Sequence, residues 1–216
     1  MKRLLIIVVF LFFLTLSGCA KESDKSSKFR LAMMNYDYKQ TTGYYFKSTQ
    51  MIEGQKGNER IITQKIDWEN QKAYTEIYER TVDNFNVNSK FTESSQTTYY
   101  HQNQIGLQTE DESVTWQTGT LEAYINNKLP IRTVYDSILE PGYLIKETES
   151  GHTLIGTIKD PSQIITNADN IKRLDIEIGI TFEGLLAFIQ IEIVYPNSIL
   201  LIDYQVYYEK QTVIIP

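Results

Sequence analysis

The 216-residue chain has few of the residues on which site chemistry is usually built, with one cysteine and two histidines. A single thiol, Cys19, excludes any disulfide within the chain, so stability has to come from packing. His101 and His152 stand far apart in polar stretches, and neither has a metal-ligand partner at helical spacing. Both read as surface histidines. No Gly-x-Ser-x-Gly elbow, glycine-rich phosphate loop or EF-hand spacing occurs. The carboxylate groups Glu110-Asp111-Glu112 and Glu147/Glu149 therefore read as solvated loop and strand-face residues, not as a cation site or a glycosidic acid pair. The expectation is a protein that is not an enzyme and takes no cofactor or metal. A repeat of solenoid length is also missing, which favours one domain.

There is no basic patch and no apolar run long enough to cross a bilayer, which takes about 20 helical residues. The formal charge is −6, and an acidic chain repels phosphate backbones, so nucleic acid is not an expected partner. The apolar run Leu4–Leu14 is short; Met1-Lys2-Arg3 precedes it, and Thr15 and Leu16-Ser17-Gly18-Cys19 follow. A positive start, an apolar core and small residues are the three parts of a secretory signal peptide.

Leu16-Ser17-Gly18-Cys19 resembles the lipobox of bacterial lipoproteins. The resemblance implies cleavage between Gly18 and Cys19 and a thioether-linked diacylglyceryl group on Cys19. The two acyl chains of that group (palmitate, for example) would hold the chain stably on the extracytoplasmic face of the cell membrane, because one chain binds only marginally and two hold. An ordinary signal peptide ending in a chance cysteine is the rival reading, and the lone exported thiol weighs against it. The expected division is a signal peptide over 1–18, a flexible tether over 19–28, and one β-rich domain over 29–216. Lys2 and Arg3 leave with the signal peptide, so the formal charge moves from −6 to −8.

From Phe29 onward, period-two alternation dominates, as in half-buried strands. In Leu174–Phe182 the even positions are apolar and the odd ones are Asp175, Glu177, Gly179 and Thr181. After Glu183-Gly184 the apolar positions become odd through Ile189, Ile191 and Ile193, the phase change expected if two hairpin strands face one core. Pro196-Asn197-Ser198 turns the chain into a third strand, which places Leu200, Ile202, Tyr204, Val206 and Tyr208 on one side. Further strands are expected over 44–51, 60–68, 72–80, 97–101 and 112–117. The fifteen tyrosines suit strand packing, and Trp68 and Trp116 are expected to anchor the sheet to helices. Helical spacing marks 121–129 and 131–139, closed by Pro130 and by Pro141-Gly142, and more weakly 29–38.

This order of hairpins, helical piece and final meander resembles the LolA/LolB-like and LppX/LprG-like bacterial lipoproteins and carriers, nearest their uncharacterised Gram-positive members. Four features carry it: Thr49–Arg80, Thr98-Tyr99-Tyr100-His101 with Val114-Thr115-Trp116, the helical piece Leu121–Leu139, and the apolar ending Thr212–Pro216. The resemblance implies an α+β fold, mainly β, in which short helices cover the concave face of a curved antiparallel half-barrel. It implies a cavity for a hydrophobic or amphiphilic ligand, lined by Trp116, Leu121, Tyr124, Ile125, Val134, Tyr135, Ile138, Ile178, Ile180 and Phe182. A filled core needs the same apolar faces. A lipid-anchored envelope protein that binds or carries such a ligand is the leading expectation, and a structural or protein-interaction module of the envelope is the alternative.

Overall fold

A computed structural model describes residues 24–53, 57–82, 91–109, 112–125, 129–131, 133–165 and 170–216. The lipobox with Gly18 and Cys19, and the carboxylates Glu110 and Asp111, lie outside the described residues. Among the described residues, eleven strands build one sheet. They are β1 (Gly43–Ile52), β2 (Gly57–Asp67), β3 (Lys72–Val82), β4 (Phe91–His101), β5 (Gln104–Gln108), β6 (Val114–Thr118), β7 (Leu144–Thr148), β8 (Gly151–Thr157), β9 (Arg173–Thr181), β10 (Leu186–Val194) and β11 (Ser198–Tyr207).

The strand order is β6-β5-β4-β3-β2-β1-β11-β10-β9-β8-β7, antiparallel at every ladder. Two meanders, β1–β6 and β7–β11, thus meet where the first strand pairs with the last. Strands β6 and β7 follow one another in sequence yet form the two edges, so the sheet stays open as a curved half-barrel. Gly43 and Gly151 open β1 and β8 with φ of +151° and +155°, where a Cβ would lie 2.1 Å from the Gln64 carbonyl oxygen and 1.9 Å from that of Ile180. Only glycine fits such contacts.

Alternation dictates which face is buried. Ile178 pairs with Ile189, which pairs with Tyr204, and Ile176 pairs with Ile191, which pairs with Ile202. These rows point toward the helix-bearing, concave face. The phase change expected between β9 and β10 is present, and a register shift between Leu186 and Phe188 lets both Leu186 and Ile189 face inward.

Helix α1 (Ser27–Met34) buries Phe29, Ala32 and Met33 at i, i+3, i+4 spacing and packs on β9 and β10. The flexible tether expected over 19–28 therefore reaches too far. Asp136 accepts hydrogen bonds from the amides of Lys25 (2.8 Å) and Ser26 (3.0 Å), Ser26 is fully buried, and its hydroxyl donates to Asp24. Residues 24–28 belong to the folded domain because these bonds satisfy the amides before the helix from outside it.

The helices expected over 121–129 and 131–139 shrink to α2 (Leu121–Tyr124), capped by the Thr120 hydroxyl, and a 3-10 turn at Asp136–Ile138. Between them, Ile131, Thr133 and Val134 are β-branched and disfavour helix. The strap is also held by sheet-like bonds, Glu140 N–H to Thr157 and Lys159 N–H to Ile138, with a bridge between Leu139 and Ile158. Tertiary pairing overrides the helical spacing. An extended strap that dips into the core can show the same spacing.

Candidate functional site

Of the ten residues expected around one cavity, seven lie in or against two packed clusters. Val134, Ile138, Ile178 and Ile180 belong to the main core with Phe29, Leu154, Leu174 and Ile189, and all eight are buried. Leu121 and Ile125 join Ile66, Ala73 and Tyr100 in a second cluster, against which Tyr124 packs while its hydroxyl donates to the Thr98 carbonyl at 2.8 Å. Near the junction of the clusters, Gln64 is 2% exposed and donates to the Thr75 hydroxyl at 3.1 Å.

The other three residues lie outside both clusters. Trp116 stands on the edge strand β6, 36% exposed and close over Gly106, so it anchors no helix. Phe182 lies just past the end of β9, 55% exposed, with its ring edge-on to His152. Tyr135 is 37% exposed, directly before Asp136 on the strap. Trp68, by contrast, donates to the Thr41 carbonyl at 2.6 Å and packs against Tyr38 and the second cluster.

A concave groove lies instead on the open face, away from the helices. Twist gives a sheet saddle curvature, so this face too is hollow along one diagonal. The groove, about 590 Å³, crosses β2, β1, β11, β10, β9 and β8. Ile155, Ile176, Ile191, Leu201 and Ile202 are its apolar lining. Lys47, Glu59, Asp175, Glu177, Glu192 and Asp203 are its charged residues. The side chains come from the wet phase of each strand. Leu201 opposes Glu192, and Ile155 opposes Glu177.

The electrostatics are uneven. Glu59 bonds Lys47 at 2.9 Å and Arg80 at 2.9 Å. Burial raises the Glu59 pKa, but the hydrogen bond and charge of Lys47, helped by Arg80, outweigh it and hold the pKa below the usual range. The same bond to Glu59 raises the Lys47 pKa. Asp175 behaves like Glu59: burial pushes upward, while Arg173 and the Thr157 hydroxyl hold the carboxyl lower. Asp175 also sits directly opposite Glu192 in the ladder, a like-charge pairing that costs stability. Asp203 accepts from Gln205 at 3.1 Å through one oxygen, and its other oxygen is buried without a hydrogen-bond partner among the described residues. The groove therefore offers an apolar floor and an acid-rich rim.

A signal for this groove is present in the sequence. Ile199-Leu200-Leu201-Ile202 is apolar at four consecutive positions, so both faces of β11 carry apolar residues there. A second recess, about 320 Å³ and polar, lies at the strand tips among Ser48, Gln50, Asn58, Arg60 and Glu79. Among the described residues, no three His, Cys, Asp or Glu side chains are placed to hold a metal ion, and no helix is long and apolar enough to cross a membrane.

The chain matches no family model and no curated protein sequence. Among solved structures it is similar to the crystal structure of LprF from Mycobacterium bovis, with a TM-score of 0.38 and 9% sequence identity, over 90% of this chain and 98% of that one.

Proposed function

We propose that this chain is a lipoprotein, anchored through Cys19 to the extracytoplasmic face of the cell membrane, whose domain binds or carries an amphiphilic ligand at the envelope without catalysing a reaction. The observation that carries the ligand reading is the open-face groove. Its volume falls within the roughly 300–1,000 Å³ usual for small-molecule sites, and apolar side chains lie beside convergent polar groups. The anchor reading rests on Leu16-Ser17-Gly18-Cys19 and the polar sequence that follows.

The acid-rich rim, five carboxylates against Lys47, favours a headgroup that donates hydrogen bonds, an ammonium above all, over a phosphate or sulfate. Isothermal titration of the purified domain with an alkylammonium and an alkyl sulfate of equal chain length, both below their micellar concentrations, tests this reading. The alkylammonium is expected to bind more tightly, by about tenfold or ~1.4 kcal/mol, and Leu201→Asp to abolish saturable binding. No saturable binding, and no lipid in organic extracts of the purified protein, would overturn the reading.

One observation supports the alternative of a protein-interaction module. All five residues of the edge strand β7 are exposed, and an unpaired edge can add a strand from a partner. Crosslinking in whole cells from a photoreactive residue at Lys146 would give one discrete adduct on that reading and none if the edge stays solvated.

A further inference from the structure

Helix α1 has a second face. Phe29, Ala32 and Met33 are buried against the sheet, while Lys28, Leu31 and Met34 recur at three-residue spacing along the exposed side. Leu31 is 52% exposed and Met34 65%. Core packing leaves both exposed. We infer that this stripe is a membrane-docking surface, which seats the domain on the anionic bilayer that carries its anchor; the inference rests on the anchor reading above.

Chain length supports this placement. Asp24 is fixed by its ion pair with Arg30 (3.3 Å) and its bonds from Ser26, and the Asp136 amide points to it as well (3.4 Å). Cys19 lies five residues earlier, and five residues reach at most about 18 Å even when fully extended. The start of α1 is thus held close to the lipid headgroups. The Asp136 clamp, itself braced by the Tyr143 hydroxyl at 2.6 Å, fixes how the helix leaves that point.

Charge supports the same orientation. Residues 20–39 carry the cations Lys21, Lys25, Lys28, Arg30 and Lys39 against the carboxylates Glu22, Asp24 and Asp37, and with Lys39 paired to Glu122 at 2.8 Å the excess is one positive charge. The rest of the mature chain is strongly acidic. Anionic lipid attracts the first region and repels the second, each within about a Debye length. Leu31 and Met34 enter the headgroup–acyl boundary, Lys28 lies among the phosphates, and the amphipathic ring of Tyr135 suits the same depth. The acid-rimmed groove on the opposite face of the sheet is then kept away from the bilayer.

The test uses the processed full chain on phosphatidylglycerol–phosphatidylcholine vesicles, with an environment-sensitive fluorophore on Met34→Cys or, as control, on Glu177→Cys. A blue shift and quenching by spin-labelled lipid at position 34 but not at 177, lost with Leu31→Glu and absent on pure phosphatidylcholine, is the expected result. Equal, water-like emission at both positions would overturn docking. Fractionation of Cys19→Ala reads the anchor separately: if that variant leaves the membrane while the label at 34 reports water, the anchor stands and the docking surface falls. Both helix substitutions are at exposed positions, and unchanged circular dichroism confirms the fold.

Discussion

Strands β8–β11 and strands β2–β5 are joined by the same kind of antiparallel ladder, but their helix-bearing faces differ in chemistry. In the first set, Leu154, Ile178, Ile189 and Tyr204 form a continuous buried row, and Ile176 and Ile191 lie in the next. In the second, the same face runs from buried Ile66 and Ala73 through the Gln64–Thr75 pair to Arg60 opposite Glu79, an exposed ion pair at the strand tips. One region is held by side-chain burial along its length. The other is held by packing at its base and by backbone ladders above it. A strand on a half-wet face needs only its ladder and its neighbours, and such regions open at lower free energy than a core.

Truncating the continuous row should have the largest effect. Ile178→Ala removes a fully buried side chain, and a loss of about 2–5 kcal/mol is expected from urea denaturation. Asp136→Ala comes next, at about 1–3 kcal/mol, because two amides and the Tyr143 hydroxyl lose a charged acceptor and the start of α1 loses its tie to the strap. Burial raises the Asp136 pKa, but the hydrogen bonds from Tyr143, Lys25 and Ser26 outweigh it, so the folded pKa lies below the unfolded one. Its stabilisation is therefore full above the unfolded carboxylate pKa and is lost as pH falls through the lower folded value. Urea midpoints measured from neutral pH down through about pH 3 should show a shallower acid-side loss in Asp136→Asn than in the wild type.

Smaller effects sharpen the contrast. Ile62→Ala, half-buried on β2, should cost roughly 1 kcal/mol, well below its counterpart Ile178→Ala, since partial burial leaves less area to lose. A comparable loss at both positions would mean that the two regions are equally packed. The double change Gln64→Leu with Thr75→Val should leave stability unchanged or raise it by up to about 1 kcal/mol. The Gln64 amide oxygen is buried without a partner among the described residues, and replacing both polar groups removes that penalty. A marked destabilisation would show instead that this polar pair fixes the strand register.

Much of this contrast was legible in the residues. Strands β9, β10 and β11 could be placed because each has one dry face and one wet face, with Gly184 and Pro196-Asn197 marking the turns. The first half of β4 was not, since Thr92-Glu93-Ser94-Ser95-Gln96 is polar on both faces and exposed throughout. Strand β7 is an exposed edge and β8 is interrupted by Gly156, so neither shows a clean alternation. The strap shows helical spacing because Val134 and Leu139 reach the core from extended backbone on either side of the 3-10 turn that buries Ile138. The groove was hidden for a different reason. Its walls come from strands up to 156 residues apart, Lys47 to Asp203, and only the doubly apolar run at Leu200-Leu201 hints that the wet face has a dry patch.

The pairing of β1 with β11 bears on how the chain assembles. Each meander can zip up from neighbouring hairpins, but the seam between them joins the first of the described strands to the last, so that this ladder closes the longest loop and carries the largest closure cost. Until residues 198–207 are available, β1 and β10 are bare edges able to pair with another copy. A chain that stops short of Ser198 would thus yield two sticky half-sheets, not a slightly smaller domain.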